Sequence, residues 1–253
     1  MEFKNSNSGV FSVVILLSVL YLNSFVYSKE LPLVLRDLKC PQTEEFRKCF
    51  LLNGNKAIPL LAKGDPEYGI PNLMPLVIPF MSLISTPTLQ LNLTNIQVHG
   101  LDKMRIIGER VDLVKNVYMV NLKGDNITVV GDYSAEGRIL VMPLNGKGRF
   151  KLYFKNGRYR STSFVRVIEK DGDKYFKPED SRLEARFELM TFDLDNLFDG
   201  NKQLGDQVNA FLNENWESLV KDFGPTVEDA VAKIIKDIFV DLASVVPIKN
   251  MFI

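Results

Sequence analysis

The chain predicts an α+β fold in which an antiparallel β-sheet, built from the middle of the sequence, is followed by a long C-terminal helix. Three observations carry this. Between residues 88 and 194 apolar side chains recur at every second position, the pattern of strands with one buried face. That region is punctuated by short glycine turns, which join antiparallel neighbours and are too short for parallel crossovers. From Asn196 onward the period lengthens, and Leu204, Val208, Phe211, Leu212, Leu219, Phe223, Val227, Val231, Ile235, Phe239 and Leu242 follow three- and four-residue steps among Lys, Asp, Glu and Asn. A helical pattern of about forty residues would run about 60 Å, so it is the spine of an elongated molecule that the rest of the chain must wrap.

Taken in order, residues 1–28 read as a secretory signal peptide: Lys4 supplies the charge, an apolar run follows, and Val26-Tyr27-Ser28 offers a cleavage site. No stop-transfer charge cluster follows, so the expected product is a secreted, extracellular chain of residues 29–253 forming one domain. Cys40 and Cys49 are the only cysteines, and in an oxidising compartment they are expected to pair. Continuous helix would hold their Cα atoms about 13 Å apart, whereas a disulfide needs roughly 5.5 Å. The chain therefore bends between them, with a short helix starting at Thr43 or Glu44 and carrying Phe46, Cys49 and Phe50. Pro71, Pro75 and Pro79 then forbid a regular helix, which makes residues 69–79 an apolar strap leading to the sheet.

Within the sheet region, Leu89, Leu91 and Leu93 alternate in one phase, and Ile96 and Val98 in the opposite one. One extra residue near Thr94-Asn95 accounts for the shift, as a β-bulge does. Further strands are expected over residues 115–122, 126–133, 136–141, 149–154, 159–169 and 182–189. Turns are expected at Lys123-Gly124-Asp125, Asn145-Gly146-Lys147-Gly148, Asn156-Gly157 and Asp171-Gly172. Gly224-Pro225 should kink or break the long helix, and Val246-Pro247 should end it.

The composition narrows the function. Thirty-one basic residues balance 31 acidic ones, which gives no electrostatic reason to expect nucleic acid as a partner. Past the leader no segment is apolar for long enough to cross a bilayer, so no stable membrane insertion is expected. Catalysis has little to work with: His99 is the only histidine, it shares a strand face with Asn95 and Gln97, and no G-x-S-x-G elbow occurs. Zinc would have only Cys40, Cys49 and His99 as soft ligands, two of them expected to be oxidised. Hence no enzyme, metal or cofactor is expected. Asn92-Leu93-Thr94 and Asn126-Ile127-Thr128 are glycosylation sequons.

Several strings resemble the insect takeout and haemolymph juvenile-hormone-binding protein family. They are the N-terminal cysteine pair, GIPNLMPLVIP, NLFDGNKQLGDQVNAFLNENW with Gly200, Gly205, Asn213 and Trp216 in register, FGPTVEDAVAKIIKDIF, and the closing VPIKNMFI. The closing string lacks the aromatic and acidic residues often found at that family's end. The resemblance spans essentially the mature chain. It implies a tubular lipid-binding, super-roll-like fold in which a highly curved antiparallel sheet wraps the long helix around a hydrophobic tunnel.

The implied activity is that of a carrier for a small lipophilic ligand, such as a juvenile-hormone-like terpenoid, a fatty acid or a chemosensory lipid. The alternative is a secreted interaction module that docks a receptor, another secreted protein or a membrane surface. Tunnel-lining residues are then sought on the inward face of the sheet, at Leu91, Val98, Met119, Leu152, Phe154, Phe164 and Phe187, and on the helix at Phe211, Leu219 and Phe223. Seventeen phenylalanines and eight methionines suit an adaptable apolar lining. Tyr118, Tyr133 and Tyr153 are candidates for a polar group at the tunnel end.

Overall fold

The computed structural model describes residues 29–112 and 115–253. The expected signal peptide lies outside the described residues. Two turns of 3₁₀-helix at Leu33–Leu38 lead into α1 (Phe46–Leu61), which is longer than the short helix expected. Its start is marked by the bond from Phe46 N–H to the Thr43 carbonyl, at 2.9 Å. Cys40 lies back against the helix and is joined to Cys49, with Cα atoms 5.7 Å apart. Closing this loop stabilises by about 3 kcal/mol in the chain-entropy account. The Cys40→Ser/Cys49→Ser variant should therefore lose about that much unfolding free energy in urea titration; an unchanged midpoint would contradict it.

Eight strands follow: β1 (Leu76–Ser85), β2 (Leu89–His99), β3 (Arg105–Asp112), β4 (Val117–Ile139), β5 (Met142–Pro143), β6 (Gly146–Lys170), β7 (Asp173–Arg186) and β8 (Leu189–Leu194). They form one antiparallel sheet, ordered β1-β2-β4-β6-β7, with β3 beside β4 and β8 beside β6. The strap expected over residues 69–79 ends earlier, because Leu76 onward is a strand. Pro79 is tolerated there since β1 is an outer strand, paired only with β2. β3 was not foreseen, as Arg105-Ile106-Ile107-Gly108-Glu109 shows no clean alternation. The expected bulge is present. Asn95 has φ of 50°, and Thr94 faces Asp132 while Gln97 faces Val130, which leaves two residues opposite Gly131. A Cβ at Gly131 would come within 2.8 Å of the Thr94 carbonyl, so the bulge requires glycine across from it.

Three of the four expected turns are absent. Gly146-Lys147-Gly148 already lies in β6, opposite Ala135, Ser134 and Tyr133, the chain having reversed at Leu140-Val141. The others are Lys123-Gly124-Asp125 and Asn156-Gly157. β4 and β6 run straight through them as strands of 23 and 25 residues, paired from Val117/Phe164 to Ala135/Gly146. Gly124 and Gly157 are paired with each other, and a Cβ on Gly157 would strike the Tyr159 ring. These facing glycines bend the two strands together instead of reversing them. The bend divides the sheet into two halves: β1, β2 and β8 flank one, β3 and β7 the other. It also switches which residues point inward. In the first half they are Ile127, Val129 and Tyr133 with Phe150, Leu152 and Phe154. In the second they are Tyr118, Val120 and Leu122 with Tyr159, Ser161 and Ser163. Asp171-Gly172 is a true reversal, with φ of 53° and 80°.

The C-terminal spine is two helices, α2 (Lys202–Glu214) and α3 (Trp216–Val245), and the break falls at Asn215 rather than at Gly224-Pro225. Asn215 leaves the helical region (φ −111°, ψ 19°), and its amide caps the Phe211 carbonyl at 2.8 Å. Pro225 is carried inside α3. It follows a residue without Cβ, and it and Lys221, whose carbonyl loses its partner, both lie on the exposed side where water replaces the bond. After Val246-Pro247 a last turn, α4 (Ile248–Met251), ends the chain. Ile253 N–H bonds the Cys40 carbonyl and Lys29 N–H the Val245 carbonyl, so both ends of the described chain close the same end of the molecule.

Candidate functional site

The concave side of the sheet and the apolar stripe of the two helices face each other. In the first half Leu89, Leu91, Ile96, Tyr133 and Phe150 pack on Val208, Leu212 and Leu219. At the opposite end Val165, Phe176 and Ala243 form a second core, with Tyr118, Phe239 and Phe252 against it. Between these cores, side chains that point inward keep part of their surface exposed.

Of the residues expected to line an interior, Leu91 and Leu219 are core, 9 % and 3 % exposed. Val98, Leu152, Phe211 and Phe223 pack against that core but stay half-buried. Phe154 and Phe187 are half-buried at the bend, ring centroids 4.7 Å apart, with Tyr159 edge-on to Phe187 at 5.8 Å. Met119 and Phe164 correct the expectation, because both lie on the outward face. Met119 sits between Arg110 and Thr162 in the ladder, and the Arg182 guanidinium covers the Phe164 ring at 4.9 Å. Tyr118, one residue away, turns inward onto Phe176 at 5.5 Å. The cause is the switch at Gly124 and Gly157: counting by twos from Val129 or Phe154 carries the wrong face past the bend.

The three tyrosines differ. Tyr153 points outward, where its hydroxyl donates to the Asn126 side chain. Tyr133 donates to the Asp195 carbonyl at 2.6 Å. Burial, aided by the charge of Asp195, pushes its hydroxyl up to about 12 from 10.0. The unfolded phenol would ionise first, so this contribution to stability is complete below pH 10 and falls as pH rises towards 12. An alkaline unfolding series should show Tyr133→Phe losing less stability across that window than the unmodified protein. Tyr118 is raised by burial alone.

Sequence reasoning missed the side chains that hold the helices on the sheet. Asn213 accepts from Phe192 N–H at 2.8 Å and donates to its carbonyl at 2.9 Å, and Asn209 does the same for Leu194, at 2.9 Å each. Asn55 of α1 treats Ile106 of β3 alike, at 2.8 and 2.9 Å. Each amide stands in for a further strand and shelters an outer strand. On β7 the Glu228 carboxylate takes Ala185 N–H at 2.7 Å, and the Lys236 ammonium meets the Glu179 carbonyl at 2.6 Å. The i, i+4 spacing of Asn209 and Asn213 was visible in the sequence; their partners were not.

His99 is exposed at the end of β2 in a shallow depression with Gly100, Lys103 and Asp125. Among the described residues no group of three metal-ligating side chains is assembled, and no helix is long and apolar enough to cross a membrane. Asn92 lies on the outward face of β2, half-buried, and Asn126 is exposed on β4.

Residues 13–253 match the sequence profile of the haemolymph juvenile hormone binding protein family. The chain is similar to the circadian clock-controlled protein daywake of Drosophila yakuba and of Drosophila melanogaster. Each is 23 % identical over 225 residues, covering 85 % of this chain and 86 % of the relative. Among solved structures it is similar to Takeout 1 of Epiphyas postvittana, with a TM-score of 0.77 and 28 % identity over 85 % of this chain and 98 % of that one.

Proposed function

Since the chain belongs to the haemolymph juvenile hormone binding protein family, a family of binding proteins on a fold that holds lipophilic ligands, we propose that it is a secreted, non-enzymatic carrier of a small lipophilic molecule. One observation carries the reading. Leu152, Phe154, Phe187, Phe211 and Phe223 belong to the inner surface of the sheet and helices, yet each stays half-buried. Apolar side chains turned towards a core are normally covered by their neighbours, so surface left uncovered there is offered to something else. Terpenoids, fatty acids and chemosensory lipids have the required chemistry. About fifteen carbons buried at roughly 0.8 kcal/mol each yield a gross gain near 12 kcal/mol, against an association cost of roughly 4 to 15 kcal/mol.

The test is native mass spectrometry of protein secreted from insect cells, followed by solvent extraction. A stoichiometric apolar adduct supports the carrier. Protein that emerges empty and takes up neither terpenoids nor fatty acids overturns it. The second reading, a module that docks a receptor or another secreted protein, is favoured by β1, an outer strand carrying Val77 at 57 % and Phe80 at 59 % exposure. Its mark would be partner binding indifferent to delipidation. Secretion rests on the leader at residues 1–28, and glycan occupancy at Asn92 and Asn126 would be read from the mass of the secreted protein.

A further inference from the structure

Inward-facing polar groups are concentrated in one half of the sheet. Tyr118, Ser163 and Ser181 form one cross-strand row; Glu109 and Ser161 belong to the next, and Tyr159 to the third. Directly paired residues share a face, so all six point the same way. The face is fixed by Tyr118, whose ring meets Phe176 beneath the C-terminal end of α3. The sheet of the first half, around Leu91 and Phe150, has one inward hydroxyl, that of Tyr133, and the Asp195 carbonyl engages it.

In the polar half the hydroxyls are under-used. Ser163, 8 % exposed, and Ser181 bond each other at 3.3 Å. Tyr118, Tyr159 and Ser161 have no hydrogen-bond partner among the described residues, and no unpartnered polar atom is sealed from a water-sized molecule. Each of these hydroxyls therefore opens onto space. Burial raises the Tyr159 hydroxyl far above its ordinary value, which keeps it a neutral donor. Among the described residues the only cation that the Glu109 side chain, 8 % exposed, meets is the outlying Arg47, at 3.8 Å. An apolar occupant that displaced water from these hydroxyls would leave them without partners at a cost in free energy, which an occupant that bonds them avoids.

We infer that the cargo is an uncharged amphiphile bearing a hydroxyl, of the long-chain alcohol class, held with its polar end on the Ser161, Ser163 and Ser181 rows and its chain running past Phe154 into the apolar half. This rests on the carrier reading. An alcohol both donates and accepts, matching serine and tyrosine hydroxyls and the Glu109 carboxylate, whereas a fatty-acid carboxylate would meet Glu109 as a like charge. A hydrocarbon would leave the rows unsatisfied.

The experiment is displacement of N-phenylnaphthylamine from the full secreted chain by lauryl alcohol, laurate and lauryl chloride, which share one chain length. The alcohol should displace the probe about tenfold more tightly than the chloride, the worth of one well-made hydrogen bond. In Ser163→Ala/Ser181→Ala, a small change whose folding circular dichroism checks, that preference should shrink to about twofold. Glu109→Gln should bring laurate closer to the alcohol. Equal affinity for all three, a preference for laurate, or an alcohol preference untouched by the serine variant each overturns the inference while leaving the carrier standing. A probe that does not bind at all overturns the carrier reading itself.

Discussion

Replacing Asn209 and Asn213 together by alanine is expected to lower the unfolding free energy by about 4 kcal/mol, from the four lost hydrogen bonds to β8 at about 1 kcal/mol each. The two amides answer both backbone groups of Phe192 and of Leu194, at 2.8 to 2.9 Å, on the free side of β8. Alanine has nothing to offer those groups, and α2 lies over them, so water replaces the amides poorly. Aspartate is no substitute, because it keeps the acceptor but loses the donor and sets a carboxylate against a carbonyl. Lys202→Ala, which removes only an exposed ion pair with Asp206, is the control and should cost little. Urea denaturation decides the matter. A loss below about 1 kcal/mol for the double variant would mean that the amides do not hold the strand.

Phe154→Asp is expected to weaken lipophile uptake by at least about a hundredfold while the protein still folds. The ring stands at the bend against Phe187, on the inner face where the two halves of the sheet meet. A carboxylate placed there lies in the path proposed for the chain of the ligand. Phe164→Asp is the matched control. It is the same chemical change on the outward face of the same strand, beside Arg182, and uptake should stay within about twofold. Probe displacement with both variants reads the result. Equal loss in the two would show that general destabilisation, not position, is responsible, and retained uptake in Phe154→Asp would remove the bend from the binding path.

The contrast between Phe154 and Phe164 shows how far the sequence could be read. Both are aromatic, both lie in a strand with period-two alternation, and they are ten residues apart, an even number that should place them on one face. By the same parity Met119 would share a face with Val129. What the count lacked was the pairing of Gly124 with Gly157, which lets both long strands bend at once. Taken singly, each glycine reads as a turn. By contrast, the bulge at Asn95 was legible, because the phase shift it causes occurs within a single strand, between Leu93 and Ile96. Pro225 misled for the opposite reason: its local preference is to break a helix, and exposure of the broken bond to water made the break unnecessary.

The sequence by itself determined the class of fold, the cysteine pair, the position of the bulge, the helical character of the C-terminal third and the family. Each of these is written in local periodicity, in spacing, or in short strings that need no knowledge of what lies opposite. Only the tertiary structure decided which strands are continuous, where the spine divides, which outer strands the asparagines shelter, and which hydroxyls share the inner face. Those depend on partners distant in the chain. A residue type specifies a preference for burial or for a hydrogen bond, but the neighbour that meets it is supplied by the folded arrangement of the whole.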